Sequence, residues 1–380
     1  MATERKFIMK ILFTGGGTAG HINPALAAAG YLRKKHPDAE ILFVGNKGGM
    51  EERLVPPAGY DMKFIRISGF QRKITPENII KNIKTVARLA SSSIESRKII
   101  KEFKPDVCVG TGGYVSGPVI REAAKMGIPC VVHESNAFPG ITIKMLSKSV
   151  DTVMLAVEDA KKYFDESVNI VMTGNPVRPE ILEVKKAEAR AKLGLDERPV
   201  VLSFGGSLGA ENLNKAMLTV VKDSAESGKV QHIHGYGQLD RSYPEKLKEM
   251  GVELENCPQI RVLEYINNMA DCLAAADVVI SRCGAITLTE IEAMGKASIL
   301  IPSPNVAENH QYHNGMALVN RGAAELIEEK NLDGDILLEK LNGILNEEGR
   351  IEALGAEALK MSVPDANERI YQVIMKAIKG

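Results

Sequence analysis

The sequence predicts an α/β protein built from two doubly wound parallel-sheet domains. Three observations support this fold class. Short apolar runs alternate with longer helical patterns along almost the whole chain, as in domains whose parallel strands are joined by helices. A glycine-rich turn directly follows an apolar run in each half, at residues 15–20 (the first turn) and 205–210 (the second turn). At 380 residues, the chain is long for one domain and comfortable for two.

Each element has its own signal. Continuous apolar character predicts strands buried on both faces, at residues 10–14, 40–44, 107–110, 130–133, 152–155 and 169–172, then 200–204, 230–234, 260–263, 278–281 and 298–301. The first helix is expected at residues 24–35, with Asn23 as its cap and Pro24 at its first position. Two prolines mark residues 175–179 as the linker, so we expect domains at 1–177 and 178–361.

Composition and charge restrict the class of protein. Hydrophobic residues make up 44% of the chain and charged residues 25%, which is typical of a soluble globular protein. A formal net charge of zero argues against a nucleic-acid partner bound through bulk positive potential. The five cysteines lack any C-x-x-C spacing, which fits a reducing cytosol, and four of them lie in apolar surroundings, where we expect small buried side chains.

Residues 1–10 are polar and contain no apolar signal core. No apolar stretch approaches the ~18 residues that cross a bilayer. We therefore expect a cytoplasmic protein that can still rest on a membrane surface. Residues 69–103 mix basic and apolar residues at helical spacing, which suits a helix lying on an anionic membrane. The alternative is an ordinary amphipathic helix with solvated lysines.

The two glycine-rich turns each lead from a predicted strand into a predicted helix. Such a turn aims unpaired backbone N–H groups and a helix start at an anion, usually a phosphate. Two of them suggest two domains facing one another with a phosphorylated ligand between them. The first turn fits the dinucleotide pattern G-x-G-x-x-G, but residues 43–46 at the end of the second strand contain no carboxylate to hold a ribose. This departure disfavours a nucleotide oxidoreductase.

His21 lies at the exit of the first turn. An imidazole with an ordinary pKa near ~6.5 is suited to take a proton from a hydroxyl at neutral pH. The alternatives are a histidine that caps the helix or binds a substrate phosphate. A third turn, residues 110–117, also follows a strand and leads into a predicted helix, so it is a third candidate anion cradle. Residues 133–136 place polar groups at the same sheet edge, where ligands of open α/β sheets bind.

Residues 281–290 form another strand–turn–helix passage. Thr287 and Glu290 are three residues apart and share one helical face, where a carboxylate can hold a ribose diol. The alternative for Glu290 is favourable placement near a helix start. Gln311 can read sugar hydroxyls with its amide. His310 and His313 have no evident third ligand, so we predict no zinc site.

Asp333-Gly334-Asp335 resembles the D-x-D of metal-dependent sugar transferases. An amphipathic helix is predicted to follow at residues 336–346, and we therefore interpret the acidic pair as a helix cap. We predict no metal site and no cofactor.

Seven segments together resemble a known family. In chain order they read GGGTAGHINPALA, GTGGYVSGPV, HESNAFPG, GNPVR, SFGGSLGAENLN, SRCGAITLTEIEAMG and ENHQYHN. The sequence resembles the undecaprenyldiphospho-muramoylpentapeptide β-N-acetylglucosaminyltransferases, bacterial cell-wall enzymes that add N-acetylglucosamine to lipid I. The resemblance implies a GT-B fold, two Rossmann-like domains separated by a cleft, with residues 362–380 packing back on the N-terminal domain. It also implies the donor UDP-N-acetylglucosamine and action at the cytoplasmic face of the membrane.

The resemblance also implies roles for individual residues. His21 is the candidate base, and we assign Gly112, Gly113, Tyr114 and Ser116 of the third turn to the acceptor. The implied donor-binding residues are Thr18, Ala19, Gly20, Asn136, Arg178, Ser207, Ile266, Ala285, Ile286, Thr287, Leu288, Thr289, Glu290 and Gln311. The implied membrane patch falls on Phe70, Ile79, Ile80 and Ile83. Two positions depart from the family pattern: Ala19 stands where glycine is common, which requires a negative φ, and His310 stands where some members have glutamine.

The expected reaction is a single inverting displacement. The 4-hydroxyl of the muramoyl sugar of lipid I attacks the anomeric carbon of the donor, His21 accepts its proton, and lipid II forms. One alternative is another GT-B transferase with a different glycolipid acceptor. Two alternatives from other classes are a nucleotide oxidoreductase and a sugar-nucleotide sensor without turnover.

Overall fold

The computed structural model describes residues 8–68 and 76–379, without the side chains of 76–87, 90 and 179. The chain forms two compact units. Unit 1 contains the residues up to Pro176 and the segment from Asp365 onward, and unit 2 spans Val177–Pro364. The chain leaves unit 1 after Pro176, where the sequence suggested 177, and returns after Pro364, where the sequence suggested 361.

The described residues of unit 1 contain a parallel sheet of seven strands in the order β3-β2-β1-β4-β5-β6-β7. Its strands are β1 (Lys10–Thr14), β2 (Glu40–Asn46), β3 (Asp61–Ile65), β4 (Val107–Gly110), β5 (Cys130–Glu134), β6 (Thr152–Leu155) and β7 (Ile170–Met172). The helices that connect them are α1 (Ala19–Lys35), α2 (Glu51–Leu54), α3 (Pro76–Phe103), α4 (Gly113–Lys125) and α5 (Ile141–Leu146).

Helices cover both faces of this sheet. Alternate residues of β1 enter different cores: Leu12 packs with Val119 of α4, whereas Ile11 and Phe13 pack with Leu32 of α1. All five side chains are fully buried. Burial on both faces explains why the strands read as continuous apolar runs, and it confirms the predicted doubly wound arrangement of this unit.

The described residues of unit 2 contain a parallel sheet of six strands in the order β10-β9-β8-β11-β12-β13. The preceding helices are α6 (Pro179–Glu183) and α7 (Lys186–Leu193). The remaining elements are β8 (Val200–Phe204), α8 (Glu211–Ser227), β9 (Gln231–Gly235), α9 (Tyr243–Glu249), β10 (Ile260–Leu263), α10 (Met269–Ala275), β11 (Val278–Ser281), α11 (Ala285–Ala293), β12 (Ala297–Leu300), α12 (His310–Val319), β13 (Glu325–Leu326), α13 (Gly334–Asn346) and α14 (Arg350–Met361).

Unit 2 repeats the two-faced packing of unit 1. Val201 of β8 packs with Met217 of α8, while its neighbour Leu202 packs with Leu273 of α10. The last helix of the chain, α15 (Ala366–Lys379), belongs to unit 1. It packs on α1, where the hydroxyl of Tyr31 donates a hydrogen bond of 2.5 Å to Glu368.

Each predicted strand is present, with ends displaced by at most two residues. Strand β3 was not predicted because Asp61–Ile65 alternates exposed and partly buried residues at the sheet edge. The predicted start of α1 is wrong. The helix begins at Ala19 with Thr18 as its cap, and Pro24 lies inside it. Its ring removes only the bond to the carbonyl of Gly20, one turn from the helix start. His21 is therefore the third residue of α1.

Helix α3 contains Ile79, Ile80 and Ile83, whose side chains lie outside the described part of the structure, as does the whole of Phe70. Within residues 8–68 and 76–379, no helix is both long enough and apolar enough to cross a membrane.

Candidate active site

The strand order of each sheet reverses at one position. In unit 1 the chain winds outward from β1 in one direction and from β4 in the other, and in unit 2 the same happens at β8 and β11. Loops that leave the carboxyl ends of such a strand pair diverge and open a crevice, the usual ligand site of this fold class. The first turn follows β1 and the second follows β8, so each turn lies at the reversal point of its own sheet.

The first turn packs directly on the loop between β4 and α4. The amide of Gly16 donates to the carbonyl of Gly112 over 3.3 Å. The hydroxyl of Thr111 donates to the carbonyl of His21 over 2.6 Å. At Gly113, φ is +78° and a Cβ would lie 2.0 Å from the carbonyl oxygen of Gly16. Only glycine fits there, because a side chain would force the two loops apart.

The imidazole of His21 is held between these two loops. Its Nδ1 lies 3.2 Å from the carbonyl oxygen of Gly16 and 3.2 Å from the hydroxyl oxygen of Thr18. A carbonyl oxygen only accepts, so Nδ1 carries the hydrogen in that bond. A Cβ on Gly112 would lie 2.7 Å from Cδ2 of the ring, so the backbone of Gly112 closes one side of the slot. The ring is therefore fixed with Nδ1 as the donor.

Glu51, which was not among the predicted site residues, lies beneath the first turn. Its side chain is 0% exposed, and Oε1 accepts the amide hydrogen of Gly17 over 3.0 Å. The first turn is thus an anion cradle whose Gly17 amide is already bonded to a carboxylate of the protein itself. The sequence signal that could have identified Glu51 is the glycine-rich segment 45–49, which ends two positions before it.

The residues assigned to the acceptor differ in their surroundings. Gly112 closes one side of the slot of His21, and Gly113 packs against the carbonyl of Gly16. The ring of Tyr114 packs over Gly17, where a Cβ would lie 2.9 Å from a ring carbon. Burial and the charge of Glu51 raise the pKa of the Tyr114 phenol. Ser116 is buried and donates to the carbonyl of Gly113 over 3.0 Å, so its hydroxyl shapes the turn.

The polar segment at the end of β5 is organised by a second buried carboxylate. Glu134 accepts from the backbone and side-chain amides of Asn136 over 2.9 and 2.8 Å, and from the amide of Gly140 over 2.8 Å. Burial raises the pKa of Glu134, although these hydrogen bonds oppose the shift. His133 donates through Nε2 to the carbonyl of Gly174 over 3.0 Å, and burial lowers its pKa to about 4. A neutral His133 therefore has a structural role.

The second turn, by contrast, borders a cavity of about 430 Å³ within unit 2. This volume lies in the range of small-molecule sites. The cavity is lined by Phe204, Gly205, Gly206, Gly209, Ala210, Glu211, Asn212, Arg282, Gly284, Thr287, Ser303, Asn305, Gln311 and Glu329. Helices α8 and α11 both begin at this cavity, so their positive ends are available to an anion there.

Two side chains of the cavity wall are fixed from behind. The side-chain oxygen of Gln311 accepts the amide hydrogens of Cys283 and Ser303 over 3.2 and 2.9 Å. Because that oxygen is committed, the NH₂ group of Gln311 is the part that can bind a ligand. Arg282 donates to two backbone carbonyls and is paired with Glu329, a pair that the sequence analysis did not identify.

The structure brings Arg178 and Glu290 together within unit 2. Nε of Arg178 donates to Oε1 of Glu290 over 2.9 Å, and the guanidinium NH₂ group lies 2.8 Å from the same oxygen. Burial raises the pKa of Glu290, and the charge of Arg178 opposes that shift. Because Arg178 uses one carboxylate oxygen, the other can accept from a diol.

The other predicted donor residues lie partly in unit 2 and partly in unit 1. Of residues 285–289, only Thr287 lines the cavity, while Leu288 and Thr289 are 4% and 7% exposed. Ile266 is buried beneath Gly235, and Ser207 is exposed on the second turn. In unit 1, Thr18 and Gly20 are exposed and Ala19 is partly buried at the start of α1. Ala19 is not among the described residues of positive φ, as its side chain requires.

Asp333 is the cap of α13, as predicted: its side chain accepts the amide hydrogen of Asp335 over 2.9 Å. In the described ranges, no cluster of histidine, cysteine and acidic residues has the geometry to hold a metal ion.

Comparison with known proteins identifies the family. The glycosyltransferase family 28 N-terminal domain matches residues 11–155, and the glycosyltransferase family 28 C-terminal domain matches residues 200–370. The chain belongs to glycosyltransferase family 28.

Full-length relatives agree with this assignment. The chain is 45% identical to a protein of Acetivibrio thermocellus, over 98% of this chain and 99% of the relative. It is 44% identical to a protein of Caldanaerobacter subterraneus subsp. tengcongensis, over 96% and 99%. Both relatives are named UDP-N-acetylglucosamine--N-acetylmuramyl-(pentapeptide) pyrophosphoryl-undecaprenol N-acetylglucosamine transferase. These matches confirm the family predicted from the seven sequence segments.

A solved structure gives the same result for the fold. The crystal structure of Acinetobacter baumannii MurG matches with a TM-score of 0.78 at 26% identity, covering 97% of this chain and 99% of that chain. With the parallel sheets of the two units, this match confirms the predicted GT-B fold class.

Proposed function

We propose that this family 28 enzyme transfers N-acetylglucosamine from UDP-N-acetylglucosamine to the 4-hydroxyl of the muramoyl sugar of undecaprenyl-pyrophosphoryl-MurNAc-pentapeptide (lipid I), forming lipid II for peptidoglycan synthesis. The observation that carries the proposal is the full-length identity to relatives whose names state this transfer. The geometry of each unit supports one part of the proposed reaction, donor binding in unit 2 and proton removal in unit 1.

Unit 2 is the donor-binding unit in this proposal. A diphosphate suits the cavity at the second turn because two helix starts and a glycine-rich backbone meet there. Gln311 offers an amide NH₂ to the sugar, and Glu290 offers its second oxygen to the ribose. Arg178 keeps Glu290 in place through the hydrogen bond to Oε1. When the sugar leaves, the helix starts stabilise the negative charge that develops on UDP.

His21 of unit 1 is the general base in this proposal. Since Nδ1 donates to the carbonyl of Gly16, the neutral ring has its lone pair on Nε2. Nε2 takes the proton of the acceptor hydroxyl while the oxygen bonds to the anomeric carbon. The bond between that carbon and the β-phosphate oxygen breaks, and UDP departs with the electron pair. One displacement inverts the anomeric configuration.

The acceptor carries a lipid, so we also propose peripheral binding to the cytoplasmic face of the cell membrane. The support is the basic and apolar composition of residues 69–103. Sedimentation with anionic phosphatidylglycerol vesicles tests this, with neutral phosphatidylcholine vesicles as the control. Replacing Ile79, Ile80 and Ile83 by serine should reduce binding to the anionic vesicles. Unchanged binding would remove these residues from the membrane contact.

The direct test is an assay with labelled UDP-N-acetylglucosamine and a lipid I analogue. We expect a disaccharide product and stoichiometric UDP. Transfer to another glycolipid, with none to lipid I, would replace the proposed acceptor. Donor binding without turnover on any acceptor would indicate a sensor. Stabilisation of the protein by NAD(P)H, with no response to the sugar nucleotide, would favour an oxidoreductase.

A further inference from the structure

The carboxylate of Glu51 is in an unusual place for a charged group. It is fully buried, at the start of α2, and Oε2 has no hydrogen-bond partner in the part of the chain that the structure describes. Glycines make the space for it: a Cβ would lie 1.6 Å from Oε1 at Gly16 and 2.1 Å from Oε2 at Gly49. Burying a carboxylate with so few hydrogen bonds is costly, so its position calls for a reason beyond filling space.

The partner of Glu51 connects it to His21. Oε1 accepts from the amide of Gly17 over 3.0 Å. The carbonyl oxygen at the other end of the same peptide unit, that of Gly16, lies 3.2 Å from Nδ1 of His21. One peptide group is therefore hydrogen-bonded to the carboxylate at its N–H end and to the imidazole at its carbonyl end.

This arrangement has a definite electrostatic consequence. A negative charge at the N–H end of an amide polarises it and makes its carbonyl oxygen a stronger acceptor, because hydrogen bonds in a chain reinforce one another. A stronger acceptor holds the hydrogen on Nδ1 of His21 more firmly and leaves Nε2 as the basic nitrogen. The same negative charge favours the positive imidazolium that forms when Nε2 takes a proton.

We propose that Glu51 is a positioning residue that acts on His21 through the Gly16–Gly17 peptide group. It holds the imidazole as the Nδ1–H tautomer and supports the charge that the ring gains during transfer. No proton reaches Glu51: the hydroxyl proton moves to Nε2 and the Nδ1 hydrogen stays in place. This proposal rests on the proposed role of His21 as the base, but the tautomer can be measured without any turnover.

The simpler interpretation is that Glu51 only holds the first turn in shape. Glu51→Gln separates the two interpretations because glutamine keeps the size of the side chain and an oxygen for the Gly17 amide, but removes the charge. Glu52→Gln is a matched control. Glu52 is the next residue, is exposed, and also accepts a glycine amide hydrogen, that of Gly48, over 2.8 Å.

The first measurement is nitrogen NMR of ¹⁵N-histidine-labelled protein, with His21→Gln used to assign the His21 signals among the seven histidines. We expect the Nδ1–H tautomer to dominate in the parent and in Glu52→Gln, and a more even mixture in Glu51→Gln. An Nε2–H tautomer in the parent would overturn the proposal without any variant being needed. A far-downfield amide proton of Gly17 is expected in the parent, and its absence would also contradict the proposal.

The second measurement is turnover. Glu51→Gln should lower kcat by about 10- to 100-fold, the usual loss when an outer partner that orients a functional histidine is removed. The dissociation constant of UDP-N-acetylglucosamine should be unchanged. Glu52→Gln should leave both unchanged. An unchanged tautomer and unchanged kcat in Glu51→Gln would reduce Glu51 to a structural role. If His21→Ala keeps full kcat, the proposed base is wrong, whatever the tautomer measurement shows.

Discussion

The two glycine-rich turns have the same local sequence pattern and the same place in their sheets, yet their surroundings differ. The first turn lies over a buried carboxylate, Glu51, which bonds to the amide of Gly17. The second borders an open cavity of about 430 Å³. A Cβ on Gly16 would overlap Glu51, whereas a Cβ on Gly206 would meet nothing within 4 Å.

The difference shows that a glycine-rich strand–turn–helix segment does not by itself identify a phosphate site. What packs beneath the turn decides whether its amides are available to a ligand. In unit 1 the turn fixes a histidine, and in unit 2 it forms part of a pocket wall. The proposed division of labour, proton transfer in unit 1 and donor binding in unit 2, follows from this contrast.

The largest expected effect is on turnover when the histidine of the first turn is removed. His21→Ala should lower kcat by about 100-fold or more, the usual loss when a general base is absent, with donor binding little changed. Steady-state kinetics with the lipid I analogue provide the measurement. An equal loss of donor affinity would reassign His21 to binding.

A pair of glycine substitutions compares the packing of the two turns. Gly16→Ala places a Cβ 1.6 Å from Oε1 of Glu51 and should lower the free energy of unfolding by about 3 kcal/mol. Gly206→Ala meets open space, so only the strain of φ +96° remains, about 1 kcal/mol. Urea unfolding measures both. Equal losses would mean that Glu51 moves aside easily and that the two turns are not packed differently.

Two buried histidines of strand β9 predict a specific pH dependence. In unit 2, the hydroxyl of Ser203 bridges Nε2 of His232 and Nδ1 of His234 over 2.9 and 2.8 Å. Burial lowers the pKa of each imidazole to about 3. Between pH 6.5 and 3 the unfolded chain binds more protons than the folded one, so stability is present above this window and is lost as the pH falls through it.

Near pH 5, each imidazole should lower the free energy of unfolding by about 1.4 kcal/mol for every pH unit of acidification. Urea unfolding measures the free energy of unfolding of the parent and of the double variant His232→Gln/His234→Gln at each pH. The contributions of the other titrating groups cancel in the difference between the two proteins. The double variant should lose less stability on acidification. Parallel curves for the two proteins would show that these histidines accept protons in the folded state.

The smallest expected effect is on donor affinity in the wall of the second site. Gln311→Ala should weaken UDP-N-acetylglucosamine binding about tenfold, the size of one hydrogen bond left unmade at a polar site. Gln311→Glu keeps an oxygen for the amides of Cys283 and Ser303 but removes the NH₂ group. Wild-type affinity in Gln311→Glu would mean that Gln311 only supports the loop.

The sequence predicted the sheets well because their strands are buried on both faces and read as continuous apolar runs. It missed two edge strands: β3, whose Asp61–Ile65 alternates exposed and partly buried residues, and β13, which has only two residues. It also misplaced the start of α1, because Thr18 caps the helix without a side-chain hydrogen bond and Pro24 is tolerated inside.

The candidate site was predictable only in part. Residues adjacent to a turn, such as His21 and Thr287, could be identified from local pattern. Glu51 bonds to a residue 34 positions away, and Arg282 pairs with Glu329 of a distant loop. Such contacts depend on how the loops of neighbouring strands meet, and one sequence contains no local signal for that. The orientation of the Gln311 side chain could not be predicted for the same reason, because it depends on the amides of Cys283 and Ser303.

The most direct test of the central claim is calorimetric titration of UDP-N-acetylglucosamine into His21→Ala and Gln311→Ala side by side. The account predicts a dissociation constant within about twofold of the parent for His21→Ala and about tenfold weaker for Gln311→Ala. The opposite order, with weak donor binding in His21→Ala and parental binding in Gln311→Ala, would contradict it.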